Sequence, residues 1–167
     1  TLRELLDTLM HFIFDLDHTV IDSSHRQITR PDGSLDLAAW IKNNTRANIM
    51  RDTLLPLAAQ WRLADKKGAT IVICTARVMG AHDFDFLASH GLRWDACLSR
   101  PMGNTLPDAE LKETLLRKYA TARPMSWARF CATSIFFDDN ESVLSMLDRL
   151  GIRAYNSISF NQSLRKT

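Results

Sequence analysis

Two carboxylates one residue apart, Asp15 and Asp17, close the apolar run His11-Phe12-Ile13-Phe14, and Thr19 follows at the same spacing. Side chains of an extended chain alternate with period two, so Asp15 and Asp17 share a side. Like charges held that close repel, and a divalent cation is the commonest reason to hold them there. Other apolar runs end in the same way: residues 69–74 lead to Thr75 and Arg77, residues 94–98 to Arg100, and residues 134–137 to Asp138 and Asp139. Lys112 stands in a helical pattern between the last two runs. Mg²⁺ takes a few carboxylates and waters together with phosphate oxygens. Arg and Lys neutralise the oxygens that remain. Carboxylates beside hydroxyl and cationic groups therefore suit a Mg²⁺ ion plus a phosphoryl group.

The elements needed to bring these groups together are legible in the pattern. Apolar runs that stop abruptly at charge read as buried parallel strands, and ligands in open α/β sheets bind beyond the carboxyl ends of such strands. Between the runs lie helical patterns. Residues 2–9 carry leucines at helical spacing, and residues 36–64 read as mostly helical, with Pro56 as a kink or break and Gly68 as the stop. Residues 82–90 form a short helix, Pro107 opens another with Asp108 and Lys112 as an i,i+4 pair, and a last helix runs to Gly151 before a fifth strand at 153–155. Residues 26–29 and 35–37 flank Pro31-Asp32-Gly33 as a hairpin beside the site. Strands alternating with helices predict an α/β class: a Rossmann-like, mainly parallel sheet with helices on both faces, in one domain over residues 1–167 with a small helical insert at about 36–66.

Composition sets the outer bounds. At 167 residues, 46% hydrophobic and 24% charged, the chain is long enough for a sizeable core. No apolar run reaches membrane-spanning length, and no signal-peptide pattern opens the sequence, so a cytoplasmic location is expected. Cys74, Cys97 and Cys131 have no metal-type spacing and read as reduced thiols. A net charge of +2 is too small to require a nucleic-acid partner.

The order D-x-D-x-T at Asp15, Asp17 and Thr19, a strand ending in Thr75, then Lys112, then a strand ending in Asp138-Asp139 resembles the haloacid dehalogenase superfamily of phosphotransferases, over residues 11–155. The resemblance implies a Rossmann-like core centred on its first strand, with a short flap after that strand. It implies Asp15 as the nucleophile that becomes an aspartyl phosphate. Asp17 becomes the general acid and then base, with a pKa raised towards neutrality. Thr19 orients Asp17, and Thr75 and Lys112 serve the phosphoryl group. Mg²⁺ is then held by Asp15, the Asp17 backbone carbonyl, and one or both of Asp138 and Asp139.

A closer similarity joins Thr75-Ala76-Arg77, Ser99-Arg100 and the run from Pro107 to Lys112 to the 3′-phosphatase domains of phage polynucleotide kinase-phosphatases, implying phosphate binding by Arg77 and Arg100. No G-x-x-x-x-G-K-[ST] motif accompanies them, so no kinase half is present. The expected substrate is a nucleotide or a nucleic-acid 3′-phosphate end. A 5′-nucleotidase, a small-metabolite phosphatase and a non-catalytic phosphate-recognising module are the rivals. The insert reads as the substrate filter. Residues 117–130 mix Arg117, Lys118, Arg123 and Arg129 with Tyr119, Trp127 and Phe130, a composition that can track and stack on single strands.

Overall fold

The computed structural model describes residues 11–167, and the helix expected over residues 2–9 lies outside them. Its centre is a parallel sheet of five strands: β1 (His11–Phe14), β4 (Thr70–Thr75), β5 (Ala96–Ser99), β6 (Ser134–Asp138) and β7 (Arg153–Asn156). The order is β5-β4-β1-β6-β7, so the strand carrying the paired carboxylates is central, as expected. In register, Phe14 stands beside Ile73 on one flank and Phe137 on the other. The carboxyl ends of β1, β4 and β6 are thereby level. The chain passes from β1 to neighbours on both sides, which makes the end of β1 the switch point where such sheets bind ligands.

Burial on both faces explains the uninterrupted apolar runs. Phe14, Ile71, Ile73 and Phe137 face one core, packed with Trp61 and Leu57 of α3 (Leu57–Lys66) and with Phe86 and Leu87 of α4 (Ala81–Ser89). Phe14 stacks between Trp61 and Phe137, with ring centroids 5.1 and 5.2 Å away. Ile13, Val72, Cys74 and Phe136 face the other core. There they meet Leu116 and Tyr119 of α5 (Asp108–Thr121), Phe130 of α6 (Trp127–Ala132), and Val143 and Leu147 of α7 (Glu141–Arg149). A final helix, α8 (Ser157–Arg165), packs Phe160 edge-on against Phe137 and was not anticipated.

The largest departure from expectation lies in residues 36–64. Two short helices, α1 (Leu37–Lys42) and α2 (Arg46–Ile49), are separated by Asn43-Asn44-Thr45, where the Thr45 hydroxyl accepts from Asn48 N–H and caps α2. Strand β3 (Thr53–Leu54) then pairs antiparallel with β2 (Ile21–Asp22). Pro56 immediately precedes α3, where its fixed φ and missing N–H do no harm, and Gly68 stops that helix at φ +87°. Helix α3 thus belongs to the layer covering the sheet, and the insert contracts to residues 23–52, slung between β2 and β3. The expected hairpin survives as a turn: Arg30 N–H donates to Ser34 O at 2.8 Å and Gly33 takes φ +86°, but its arms meet in a single bridge, Thr29 to Leu35.

Candidate active site

The loop after β1 turns on one acceptor. Leu16 O receives the N–H groups of Thr19, Val20 and Ile21 at 3.0–3.1 Å, which forces the chain so tightly that His18 adopts φ 61°. A non-glycine residue in the left-handed region is uncommon and stored strain of this kind clusters at working sites. The turn directs Asp15 and Asp17 apart. Asp15 points under the sheet edge towards β6 and α5; Asp17 points towards the loop after β4.

Asp15 shares a buried lysine with Asp138. Lys112 Nζ donates to Asp15 Oδ1 at 2.9 Å and to Asp138 Oδ2 at 2.7 Å, with 2% of its side chain exposed. Asp108 instead pairs with Arg100, so the expected Asp108–Lys112 pair does not form. Oxygens of Asp15, Asp138 and Asp139 all lie within 4.8 Å of one another. Three carboxylates against one ammonium leave excess negative charge. Burial, and then the Asp15 charge, push both Asp138 and Asp139 well above the ordinary carboxylate range. Lys112 is pushed up as well, against its burial: the charges of Asp15 and Asp138 hold it protonated. A compact set of hard oxygen donors with surplus negative charge fits Mg²⁺.

Asp17 is held quite differently. Arg77 forks it, with Nε to Oδ2 at 2.7 Å and Nη2 to Oδ1 at 2.6 Å, and the Ser23 hydroxyl adds a third donor at 2.5 Å. Burial pushes the Asp17 carboxyl up, but the Arg77 charge and these hydrogen bonds outweigh it and bring it down to about 2. The raised pKa expected at this position is therefore reversed in this arrangement, because the charge and hydrogen bonds of Arg77 and the Ser23 hydroxyl outweigh burial. Arg77 is anchored behind by Asp83 at 2.8 Å and lies 3.7 Å from Asp52. Asp52 in turn takes Arg26 at 2.9 Å and His25 at 2.7 Å. Asp52, Asp83, Arg26 and Ser23 are all buried, and the sequence pattern assigns none of them to the site.

Thr19, expected to orient Asp17, donates towards Asp15 Oδ2 at 3.2 Å and towards Ser157 Oγ at 2.9 Å. Ser157 also reaches His18 O, and Asn161 Nδ2 donates to Thr19 O at 2.9 Å, so α8 braces the loop from behind. Thr75 is buried at the end of β4 and its oxygen accepts from Arg77 N–H at 3.0 Å. Arg100 spends its donors on Ala76 O, Leu106 O, Asn104 and Asp108, stapling three neighbouring segments together. The structure brings Asp15, Lys112, Asp138 and Asp139 into one cluster and Asp17 with Arg77 into a second beside it; Arg100 lies behind the Ala76 backbone. The aromatics of residues 117–130 are packed: Tyr119 is buried, and half-buried Trp127 stacks on Phe130 at 5.6 Å. Arg117 lies 4.5 Å over Trp127, Arg123 4.4 Å over Tyr119, and Phe130 is fully buried.

A central parallel strand with its carboxylates at a switch point, flanked by a lysine and a second acidic strand end, is the fold of haloacid dehalogenase-like hydrolases. The chain belongs to the bacteriophage T5 5′-deoxynucleotidase family, whose model matches residues 7–166. A curated relative, the 5′-deoxynucleotidase of Escherichia phage T5, is 41% identical over 85 residues, which is 48% of this chain and 35% of that protein. Among solved structures, a chain of the Pnkp1/Rnl/Hen1 complex superposes with a TM-score of 0.65 at 19% identity, covering 90% of this chain and 46% of that one. A haloacid dehalogenase-like hydrolase from Streptococcus pneumoniae superposes with a TM-score of 0.59 at 12% identity over 95% of this chain and 92% of its own. Among the described residues no helix is long and apolar enough to cross a membrane.

Proposed function

We propose that this chain is a Mg²⁺-dependent phosphomonoesterase that hydrolyses a deoxynucleoside 5′-monophosphate through an aspartyl phosphate on Asp15. The observation that carries the reading is the cluster of Asp15, Asp138 and Asp139 around one buried lysine, Lys112, in a chain of the 5′-deoxynucleotidase family. Asp15, Asp138 and Asp139, with the Asp17 backbone carbonyl, would hold the ion. When bound, Mg²⁺ offsets the repulsion between an anionic nucleophile and an anionic substrate.

Asp15 Oδ2, steadied by Thr19, attacks phosphorus; the bond from phosphorus to O5′ breaks and O5′ takes a proton from Asp17. Water then attacks the aspartyl phosphate, gives its proton to Asp17 and releases phosphate. Asp17 is ionised while Arg77 forks it, which is the form needed for the second half. For the first half Arg77 must transfer its fork to the incoming phosphate, so that burial lifts Asp17 towards neutrality. Lys112 and the Thr75 hydroxyl supply the remaining donors.

Between the two nucleotide readings, the family's description favours the 5′-monophosphate over the 3′-phosphate end. The burial of Tyr119 and Phe130 and the stacking of Trp127 on Phe130 favour a mononucleotide over a strand. The test is a comparison of the four deoxynucleoside 5′-monophosphates with a 3′-phosphorylated oligonucleotide, in Mg²⁺ and with excess chelator. Faster turnover of the mononucleotides, lost with chelator and reduced by roughly 10³-fold or more in Asp15→Asn, is expected. Preference for the oligonucleotide would return the assignment to the 3′ end, and absence of turnover on any phosphomonoester would end the enzymatic reading.

A further inference from the structure

The insert sets against Arg77 a side chain that the chemistry above leaves without a task. Trp40 lies on α1, with the Arg26 guanidinium carbon 4.3 Å and the Arg77 guanidinium carbon 5.7 Å from its ring centroid. Arg77 is the residue that forks Asp17, so the indole stands one guanidinium away from the reacting groups. It is held there by an expensive arrangement. Arg26, 2% exposed, is fixed by two contacts to Asp52 at 3.0 and 2.9 Å and by Asn44 at 3.3 Å, and its carbonyl accepts from Asn43 just after α1. A buried ion pair adds little stability by itself, so its presence at the root of a small insert calls for another explanation. Here it fixes the guanidinium platform on which the indole rests.

Trp40 is also part of a stripe that, among the described residues, is left largely exposed. Leu37, Trp40 and Ile41 fall at i, i+3, i+4 on one face of α1, yet Leu37 is 62% and Ile41 73% exposed. On the loops after β4 and β5, Val78 and Met102 are exposed too, at 41% and 89%. Apolar side chains thus rim the carboxyl edge of the sheet, while its centre holds the charged groups of Asp15, Asp17, Arg77, Lys112 and Asp138. This pattern matches a molecule with a phosphate at one end and a flat apolar ring at the other.

We infer that Trp40, seated on Arg26 and flanked by Leu37 and Ile41, is the stacking surface for the nucleobase and determines the enzyme's preference for nucleotides over other phosphomonoesters. The inference rests on the nucleotidase reading. An indole already locked by a cation on one side loses little freedom when a base stacks on it, and base stacking tolerates every base. The surface therefore selects nucleotides as a class, with weak discrimination among bases.

The experiment compares a deoxynucleoside 5′-monophosphate with deoxyribose 5-phosphate, which keeps the reacting end and lacks the base. The ratio of their kcat/KM values should fall about tenfold or more in Trp40→Ala, be retained in Trp40→Phe, and fall in the same direction in Leu37→Ser and Ile41→Ser, whose exposed sites tolerate the change. A ratio unchanged in Trp40→Ala, or both substrates losing equally, would overturn the assignment and leave Trp40 a packing residue. Binding supplies a readout that does not need turnover. In the Asp15→Asn protein, the nucleotide should quench tryptophan fluorescence more than deoxyribose 5-phosphate does, and Trp40→Phe should remove that difference. If the wild type hydrolyses neither compound but the nucleotide-specific quench remains, the nucleotidase reading fails and the stacking site stands. If the nucleotide gives no such quench, the stacking site fails. Concentration-dependent dimerisation abolished by Leu37→Ser would assign the stripe to a second copy and overturn it as well.

Discussion

Lys112 is the residue on which the charge balance of the site turns. Among the described residues its ammonium is the one cation within hydrogen-bonding distance of Asp15 and Asp138, and all three are buried. Replacing it with Met keeps the length of the stem but leaves buried carboxylates unpaired, a change that costs about 3–5 kcal/mol when one partner of a buried pair is removed. Lys112→Met should therefore melt well below the wild type in chelator. Mg²⁺ should raise the melting temperature of the variant more than that of the wild type, because the cation then answers charge that Lys112 no longer answers. Thermal denaturation of both proteins with and without Mg²⁺ checks this, and equal shifts would argue against a metal at Asp15, Asp138 and Asp139. The acidic cluster was legible in the sequence because strand ends announce themselves. The fork of Arg77 on Asp17 was not: nothing in the local pattern of residues 75–77 says which carboxylate the guanidinium will choose. Asp83, at the third position of α4, reads as an ordinary N-terminal acid until the fold turns it towards both Gly80 N–H and Arg77.

At the scale of elements, β1, β4, β5 and β6 were legible because each carries an apolar run and is four to six residues long, bounded by polar or turn residues. The insert was misread for a physical reason. Residues 36–64 do carry helical periodicity, but the Thr45 cap divides it locally, and the two-residue strand β3 is set by pairing with β2, a contact across some thirty residues that no period records. Helix α8 was missed although Asn156 caps it in the ordinary way, because its inner face includes Ser157 and Asn161 in place of an apolar stripe. Those polar residues are the functional part of the helix. Asn161 accepts from Leu57 N–H at 2.8 Å and donates to Thr19 O at 2.9 Å, joining α8 to the start of α3 and to the turn after β1. Asn161→Ala leaves both buried groups unanswered, so a loss of about 1–3 kcal/mol is expected. Because Thr19 steadies Asp15, kcat should drop with little change in KM. Denaturant unfolding and steady-state kinetics on the same variant separate the two effects. A stability loss with kcat intact would make α8 a brace for the fold alone.

For the whole molecule, the sheet separates two chemistries. Its carboxyl edge gathers the charged site, while its amino edge ends in aromatics closed around a histidine. His11 opens β1, 7% exposed, with Phe130 at 5.1 Å and Tyr119 at 5.6 Å between ring centroids. Among the described residues, neither His11 Nδ1 nor the Tyr119 hydroxyl has a hydrogen-bond partner. Burial, and then the Arg123 charge, lower the His11 pKa, with Asp95 opposing weakly. A histidine whose folded pKa lies below its unfolded value binds its proton preferentially in the unfolded chain. Its contribution to stability is therefore complete above about pH 6.5 and is lost as pH falls below that value. Replacing His11 with Phe, which suits the aromatic surroundings and cannot be protonated, should make the fall in unfolding free energy between about pH 7 and 5 shallower than in the wild type. Urea unfolding across that range checks it. Parallel curves for the two proteins would mean that His11 keeps its ordinary pKa in the folded chain, and that the acid sensitivity of the fold arises at the carboxyl edge of the sheet, among the carboxylates of the site.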